Sequence, residues 1–141
     1  MVDFAKLFAA EMRRRRDELG LAQEELGARL GLDRNSVSRL ERGSPNISLE
    51  KALAIAKALN VSLSSMLGDQ TPSSDDVLTA SFGERVRLLR TELELNQRQL
   101  AARMDVDRNL VSGIESGTRS PTLRTVQLYC EGLNAPPSRI L

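Results

Sequence analysis

LDRNSVSRLERG occupies residues 32–43, and VDRNLVSGIESG occupies residues 106–117. In both segments an Asp-Arg-Asn triplet follows one apolar residue, and Val-Ser, Glu and Gly recur at the same offsets. The Asp can cap a helix by accepting a hydrogen bond from a free amide of the first turn. The closing Gly is a stop signal for that helix. The two segments therefore predict the same short, capped helix at two places in the chain.

These segments lie inside a longer internal repeat. Residues 8–67 align with residues 82–141 at a constant offset of 74 positions and without a gap. Such self-similarity identifies a duplicated structural unit, although two copies are too few for a solenoid. Between the copies, GDQTPSSDDVLTAS (residues 68–81) is rich in Ser, Thr, Asp, Gly and Pro, which is typical of a linker. We predict a first domain at residues 1–68, a linker at 69–81 and a second domain at 82–141.

The pattern within each copy is helical, and no segment has the alternation typical of a strand. Gly31 follows the second helix and tolerates the positive φ that a tight helix–helix turn requires. Asn96 and Gln99 predict a capping box in the second copy, where the first copy has the weaker cap Ala22. We predict an all-α chain with helices at 4–19, 23–30, 34–42, 48–59 and 62–67, and at 82–93, 97–104, 108–116, 122–133 and 138–141.

The composition argues against a catalytic or metal-dependent function. The 141 residues include no histidine and one cysteine, so the commonest general base and the ligands of a structural zinc site are missing. Apolar runs are too short for a membrane span, and the first residues lack the apolar region of a signal peptide. We expect a cytoplasmic protein without cofactor, metal or enzymatic activity, in which Cys130 is a buried thiol. The net charge of +1 neither indicates nor excludes a nucleic-acid partner.

Two long stretches resemble one known family. GLAQEELGARLGLDRNSVSRLERGSPNISLEKALAIAKALNVSLSSML (residues 20–67) is similar to phage-repressor-like (Cro/XRE) helix-turn-helix proteins, and LELNQRQLAARMDVDRNLVSGIESGTRSPTLRTVQLYCEGLNAPPSRIL (residues 93–141) resembles them less cleanly. The shared signature is a Q-x-x-L-A-like helix, a turn, a capped helix ending in E-x-G, and a closing pair of helices. The resemblance implies two tandem five-helix, lambda-repressor-like domains joined by a short linker. In each domain the third helix would enter the major groove of DNA.

The resemblance also implies which residues contact DNA bases or phosphates. In the first copy they are Gln23, Arg34, Asn35, Ser36, Ser38, Arg39, Arg42 and Asn46. In the second copy they are Gln97, Arg98, Arg108, Asn109, Ser112, Thr118 and Arg119. Asn can pair bidentately with adenine and Arg with guanine, whereas hydroxyl contacts to phosphates position the protein without reading sequence. The second copy lacks two arginines of the first, because Gly113 stands at the position of Arg39 and Ser116 at that of Arg42. The second recognition helix is therefore expected to offer fewer groups to DNA.

Two acid–base pairs have a structural role in this family. The resemblance implies salt bridges from Arg16 to Glu41 and from Arg90 to Glu115, each tying the first helix of a copy to its third. A bidentate Arg–carboxylate pair fixes the relative orientation of the two helices. We therefore expect these four residues to hold the domain together and not to contact DNA.

The function that the resemblance implies is sequence-specific transcriptional regulation, with double-stranded DNA as the partner. We expect a repressor that occupies its operator, associates with the nucleoid and has no small-molecule effector. The alternative is a protein-binding module, such as an antitoxin or antiactivator, whose weaker second copy holds a protein partner.

The number of chains on the DNA stays open at the sequence level. One chain could supply both DNA-reading domains, or two chains could form a homodimer. We favour a homodimer because both copies end in apolar residues that look exposed. These residues are Leu63, Met66, Leu67, Ile140 and Leu141.

Overall fold

A computed structural model of the chain describes residues 3–44, 46–70 and 81–141. In these ranges the chain forms ten helices and one isolated antiparallel bridge. The helices of the first unit are α1 (Phe4–Glu18), α2 (Gln23–Leu30), α3 (Arg34–Glu41), α4 (Leu49–Ala58) and α5 (Leu63–Met66). Those of the second unit are α6 (Phe82–Glu92), α7 (Gln97–Met104), α8 (Arg108–Ser116), α9 (Leu123–Leu133) and α10 (Pro137–Ile140). The all-α prediction is confirmed, and most of the predicted linker, residues 71–80, lies outside the described residues.

The caps anticipated from the sequence set the starts of α3, α7 and α8. The Asp33 carboxylate accepts from the amide of Ser36 at 2.7 Å, and the Asp107 carboxylate accepts from the amide of Asn109 at 2.7 Å. Asn96 and Gln99 form the predicted capping box. These bonds satisfy amides that have no partner within their own helix. The starts of α3 and α8 are therefore fixed by the residues that precede them.

The tight turns after α2 and α7 use different residues for the same backbone geometry. Gly31 ends α2 with a φ of 69°, and Asp105 ends α7 with a φ of 55°. Glycine takes this left-handed conformation freely, whereas an aspartate takes it at a modest cost. Both turns lead into the next helix, so the α2–α3 and α7–α8 pairs share one design.

Apolar side chains from both units form a continuous core. Each unit contributes fully buried residues, including Met12 and Val37 from the first and Leu100 and Val111 from the second. None of the helices in the described ranges is long and apolar enough to cross a membrane. Cys130 is also buried, as expected, and burial raises the pKa of its thiol to about 12. A thiol in this state is unreactive at neutral pH.

The expectation that both copies end in exposed apolar residues is wrong. Helix α5 packs on α1 and α4, and α10 packs on α6 and α9, so each closing helix covers the core of its own unit. Four of the five residues are buried and the last is half-buried: Leu63, Met66, Leu67, Ile140 and Leu141. The surface on which the homodimer was predicted is therefore already used inside each unit.

The two units are joined through short segments at matched positions of the repeat. Ser48 and Thr122, which are 74 positions apart in the sequence, lie opposite each other in the antiparallel bridge. The amide of Leu49 donates to the carbonyl of Pro121 at 2.9 Å, and the amide of Leu123 donates to the carbonyl of Ile47 at 3.0 Å. We call residues 47–49 and 121–123 the pairing segments. Helices α4 and α9, which start at the last residue of each pairing segment, also pack against each other.

Further contacts between the units do not follow this symmetry. Helix α1 begins one turn earlier than α6, because Phe8 and not Phe4 is the counterpart of Phe82. The extra turn packs on α9, and the amide of Phe4 donates to Oε1 of Gln127 at 2.9 Å. The amide of Ser138 donates to the carboxylate of Asp69 at 3.0 Å. The first unit is thus held against the second at three separate places.

Tyr129 provides a test of the packing in the second unit. Its side chain is fully buried, its ring meets that of Phe82 edge to face at 5.5 Å, and its hydroxyl has no hydrogen-bond partner among the described residues. The equivalent residue of the first unit is Ile55, which has no hydroxyl. Because an unpaired buried hydroxyl destabilises the fold, Tyr129→Phe should raise the free energy of unfolding by about 1 kcal/mol. Urea denaturation measures this change.

The control is Tyr129→Ala, which removes the ring and should cost about 3–5 kcal/mol. Burial raises the pKa of Tyr129 above its ordinary value of 10.0, so the folded state favours the neutral hydroxyl. Wild-type stability should therefore fall as the pH rises above about 10, and Tyr129→Phe should remove that part of the loss. A destabilised Tyr129→Phe variant would contradict the unpaired hydroxyl.

Candidate nucleic-acid interface

The first turns of α3 and α8 present the same two polar side chains to solvent. Arg34 and Asn35 follow the cap of α3, Arg108 and Asn109 follow the cap of α8, and all four are exposed. None of these four side chains forms an ion pair or hydrogen bond with another described residue, so each can meet a ligand at little cost in broken contacts. The hydrogen bonds from Ser36 hold the pKa of Asp33 below its ordinary value, so this cap stays charged well into the acidic range.

The other candidate residues lie on α2, α3, α7 and α8 or just after α3 and α8. Six are exposed, namely Arg39, Arg42, Asn46, Arg98, Thr118 and Arg119, and five are half-buried, namely Gln23, Ser36, Ser38, Gln97 and Ser112. Arg39 donates through Nη2 to the hydroxyl of Ser36 at 3.3 Å, so these two side chains share one face of α3. No candidate is buried, so each of these side chains is at least partly open to solvent.

In the first unit, Arg16 and Glu41 tie α1 to α3. The guanidinium donates through Nε to Oε1 of Glu41 at 2.6 Å and through Nη2 to Oε2 at 3.3 Å. Its Nη1 donates to the carbonyl of Leu21 at 2.8 Å, which adds the α1–α2 turn to the same contact. The Glu41 side chain is only 4% exposed, and its hydrogen bonds raise the pKa of Arg16 above the ordinary value. The orientation of α3 is therefore set by one guanidinium.

The second unit repeats this arrangement. Arg90 donates through Nε and Nη2 to the two oxygens of Glu115, both at 2.8 Å, and through Nη1 to the carbonyl of Leu95 at 2.7 Å. Gln97 donates to Glu115 at 3.4 Å, as Gln23 donates to Glu41 at 2.9 Å in the first unit. The first residue of α2 or α7 thus braces the following helix through the same carboxylate.

The replacement of Arg39 by Gly113 has a structural consequence that the sequence did not reveal. The side chain of Arg119 lies across α8 at Gly113, where an added Cβ would be only 2.9 Å from both Cγ and Cδ of the arginine. The amide of Arg119 donates to the Gly113 carbonyl at 3.0 Å, and the Thr118 hydroxyl donates to it at 3.3 Å. Arg119 is nevertheless exposed. The side chain of Arg119 therefore covers the position on α8 that corresponds to Arg39 on α3.

The run of four arginines in α1 is not a basic patch. Arg14 pairs with Glu11 at 2.7 Å and with Glu18 at 2.8 Å, and Arg15 pairs with Glu11 at 3.2 Å. The next arginine, Arg16, belongs to the pair with Glu41 described above. Most of the positive charge of this run is therefore neutralised on or beside α1.

Comparison with known proteins identifies the same two units. The profile of the family described as helix-turn-helix matches residues 12–65 and 86–140. The chain is 38% identical over 73 residues to the uncharacterized HTH-type transcriptional regulator y4dJ of Sinorhizobium fredii, an alignment that covers 50% of this chain and 95% of that protein. It is 33% identical over 69 residues to control protein C.SmaI of Serratia marcescens, covering 49% of this chain and 82% of the relative.

A phage protein shows a further similarity. The chain is 33% identical over 60 residues to the cryptic phage CTXphi transcriptional repressor RstR of Vibrio cholerae, an alignment that covers 43% of this chain and 54% of that repressor. No solved structure matches the chain significantly. All three alignments span half of this chain or less, which is about the length of one unit.

The Arg16–Glu41 pair can be tested by a double-mutant cycle. Arg16→Met leaves the buried carboxylate of Glu41 with only the amide of Gln23, so the free energy of unfolding should fall by about 3–5 kcal/mol. Adding Glu41→Leu removes the stranded charge and should recover most of that loss. Arg14→Met, which affects only exposed pairs on α1, is the control and should change stability by less than about 1 kcal/mol. Additive losses in the double variant would show that the pair is not coupled.

Proposed function

The chain belongs to the helix-turn-helix family, and from this membership we propose that it is a transcriptional repressor that binds a specific double-stranded DNA operator. The observation that carries the proposal is the exposed Arg-Asn pair at the start of both α3 and α8, on helices that a buried Arg–Glu pair holds in place. The relatives named as transcriptional regulators and as a phage repressor support it. Repression would follow from occupancy of the operator, with no chemical step and no cofactor. The protein would act in the cytoplasm, on the nucleoid.

In this proposal α3 lies in the major groove of DNA and is its recognition helix. Asn35 pairs with an adenine and Arg34 with a guanine, the bidentate pairings that their side chains favour. Ser36, Ser38 and the free amides at the start of the helix contact phosphates, because the N-terminus of a helix favours negative charge. Gln23 is a positioning residue, since its amide bonds to Glu41. These contacts divide into two that read sequence and several that fix the register.

Helix α8 is the recognition helix of the second unit, and we propose that Arg119 replaces Arg39 there. The glycine at position 113 gives the aliphatic part of Arg119 room to lie on the helix, and the charged end remains open to solvent. Arg108 and Asn109 keep the same places as Arg34 and Asn35. The protein-partner alternative rested on the loss of basic groups from α8. Because the side chain of Arg119 lies on α8, the number of basic side chains on this helix surface is larger than the sequence of α8 alone indicates.

Replacement of Asn35 tests direct reading of bases by α3. Asn35→Ala should weaken operator binding by about 1–3 kcal/mol, which is roughly 5- to 150-fold, and relax the preference at one base pair. The fold should be unchanged because Asn35 is exposed. Fluorescence anisotropy with labelled operator duplexes measures the affinity, and Lys57→Ala, at an exposed site on the last turn of α4, is the control. Equal affinity of wild type and Asn35→Ala would count against base reading by this residue.

A separate variant tests the contribution of Arg119. Arg119→Ala should weaken operator binding and lower the slope of log affinity against log salt concentration by about 1, as expected when one phosphate contact is lost. Arg119→Met keeps an apolar stem over Gly113 but has no charge, and it should bind as weakly as Arg119→Ala. If Arg119→Met instead binds like the wild type, the role of Arg119 is packing alone. Lys57→Ala removes one positive charge elsewhere and should leave the slope unchanged.

A further inference from the structure

We propose that a single chain occupies both halves of an inverted-repeat operator, and that the two halves differ in sequence. This inference rests on the proposed function and adds the architecture of the DNA site and the number of chains bound. The observation behind it is the contact between the two pairing segments, residues 47–49 and 121–123.

The contact between the pairing segments is symmetric with respect to the repeat. Ser48 faces its own counterpart Thr122. The two flanking hydrogen bonds are equivalent, because each joins residues that are the counterparts of those joined by the other. The bond from Leu49 to Pro121 in one direction thus corresponds to the bond from Leu123 to Ile47 in the other. Two equal bodies that touch through the same patch on each are related by a two-fold axis. The axis of this contact passes between Ser48 and Thr122. The contacts that break the symmetry involve Phe4 and Asp69, which lie outside the aligned residues 8–67 and have no counterpart in the repeat.

A two-fold axis between the units determines which arrangement of half-sites both can bind. Duplex DNA with an inverted repeat has a two-fold axis perpendicular to its length, and a direct repeat does not. If α3 enters the groove in a given orientation, α8 enters the neighbouring stretch in the orientation related by that axis. Both units therefore dock together only on an inverted repeat, whose half-site centres lie about one helical turn, or a multiple of it, apart.

The pairing within one chain also removes the need for a second chain. The backbone groups of Ile47 and Leu49 that face the second unit are already bonded to it. Leu49 and Leu123 are 5% and 0% exposed, so the apolar residues of the contact are covered as well. The closing helices α5 and α10 cover the cores of their own units, as described above. One chain therefore contains two units and the contact between them, which a homodimer would form from two chains.

The two halves of the operator differ because α3 and α8 differ on the exposed side. The exposed Arg39 and Arg42 correspond to Gly113 and Ser116, and Ser36 corresponds to Leu110, which is half-buried and packs against the core. The half-site bound by α8 therefore meets fewer polar and charged side chains than the half-site bound by α3. The Arg-Asn pair is common to both helices. The operator should therefore contain a shared core in both halves, flanked by base pairs that differ between them.

The first experiment is selection of bound sequences from random double-stranded DNA with the full chain. We then compare duplexes that carry the selected inverted repeat, one half-site, or the same two half-sites as a direct repeat. Affinity is measured by anisotropy, and the number of chains on each duplex by native mass spectrometry. We expect one chain on the inverted repeat. The direct repeat should bind no better than one half-site, and at least tenfold more weakly than the inverted repeat.

Two variants show which unit reads which half. Asn35→Ala should relax base preference in only one half of the operator, and Asn109→Ala only in the other half. In a homodimer that reads DNA with its first units, Asn35→Ala would instead relax both halves equally and Asn109→Ala neither. Both residues are exposed, and Lys57→Ala is again the control, expected to leave both halves unchanged.

The outcomes separate the inference from the function on which it rests. Two chains on the inverted repeat, or equal affinity for the direct repeat, would overturn the single-chain inference and leave the DNA-binding function intact. Failure of the selection to enrich any sequence, even at low salt, would overturn the proposed function and the inference with it. One chain on an inverted repeat whose halves respond to different variants supports both.

Discussion

Two backbone hydrogen bonds between residues 47–49 and 121–123 place matched residues of the two units opposite each other. They join the starts of α4 and α9 to the residues before the other helix, at matched positions of the repeat. A net contribution of about 1 kcal/mol each would not hold the units together alone. The burial of Leu49 and Leu123 adds the apolar contribution, and the bonds fix the direction in which these side chains meet. The arrangement of both recognition helices depends on this contact, because α3 and α8 each end a few residues before it.

The two units share their buried ion-pair contacts and differ in the side chains on the surfaces of α3 and α8. In both units an arginine of the first helix and the Gln at the start of the second helix bond to one glutamate of the third helix. This carboxylate is buried, so loss of its arginine would destabilise the fold by about 3–5 kcal/mol. The surfaces of α3 and α8 differ at several positions, including the exposed Arg39 and Arg42, which correspond to Gly113 and Ser116. Arg119 is an intermediate case, since its position needs Gly113 on the neighbouring helix. The two units thus share the contacts that hold their helices and differ on the surface that we propose binds DNA.

The sequence predicted features whose cause is local, and it failed where the cause lay across the fold. Helix ends, the Asp33 and Asn96 caps and the turn at Gly31 depend on a few neighbouring residues, so spacing was enough to find them. The closing segments were read as exposed because their apolar residues have no partner in sequence, whereas α5 and α10 fold back on distant helices. The pairing segments are too short for any strand pattern, and the stem of Arg119 over Gly113 is a contact between side chain and helix surface. The repeat itself was the one signal that could have indicated paired, equivalent positions.

Joining two recognition helices in one chain changes the physical problem of binding an operator. A homodimer must first assemble, or assemble on the DNA, so its occupancy falls steeply when the protein is dilute. In a single chain, docking of one unit places the other next to its half-site at a high effective concentration that the pairing contact fixes. The salt dependence of the complex then includes the phosphate contacts of both units at once. Because the units are not identical, an operator with unequal halves also sets the direction in which the chain lies on the DNA, which a symmetric dimer cannot do.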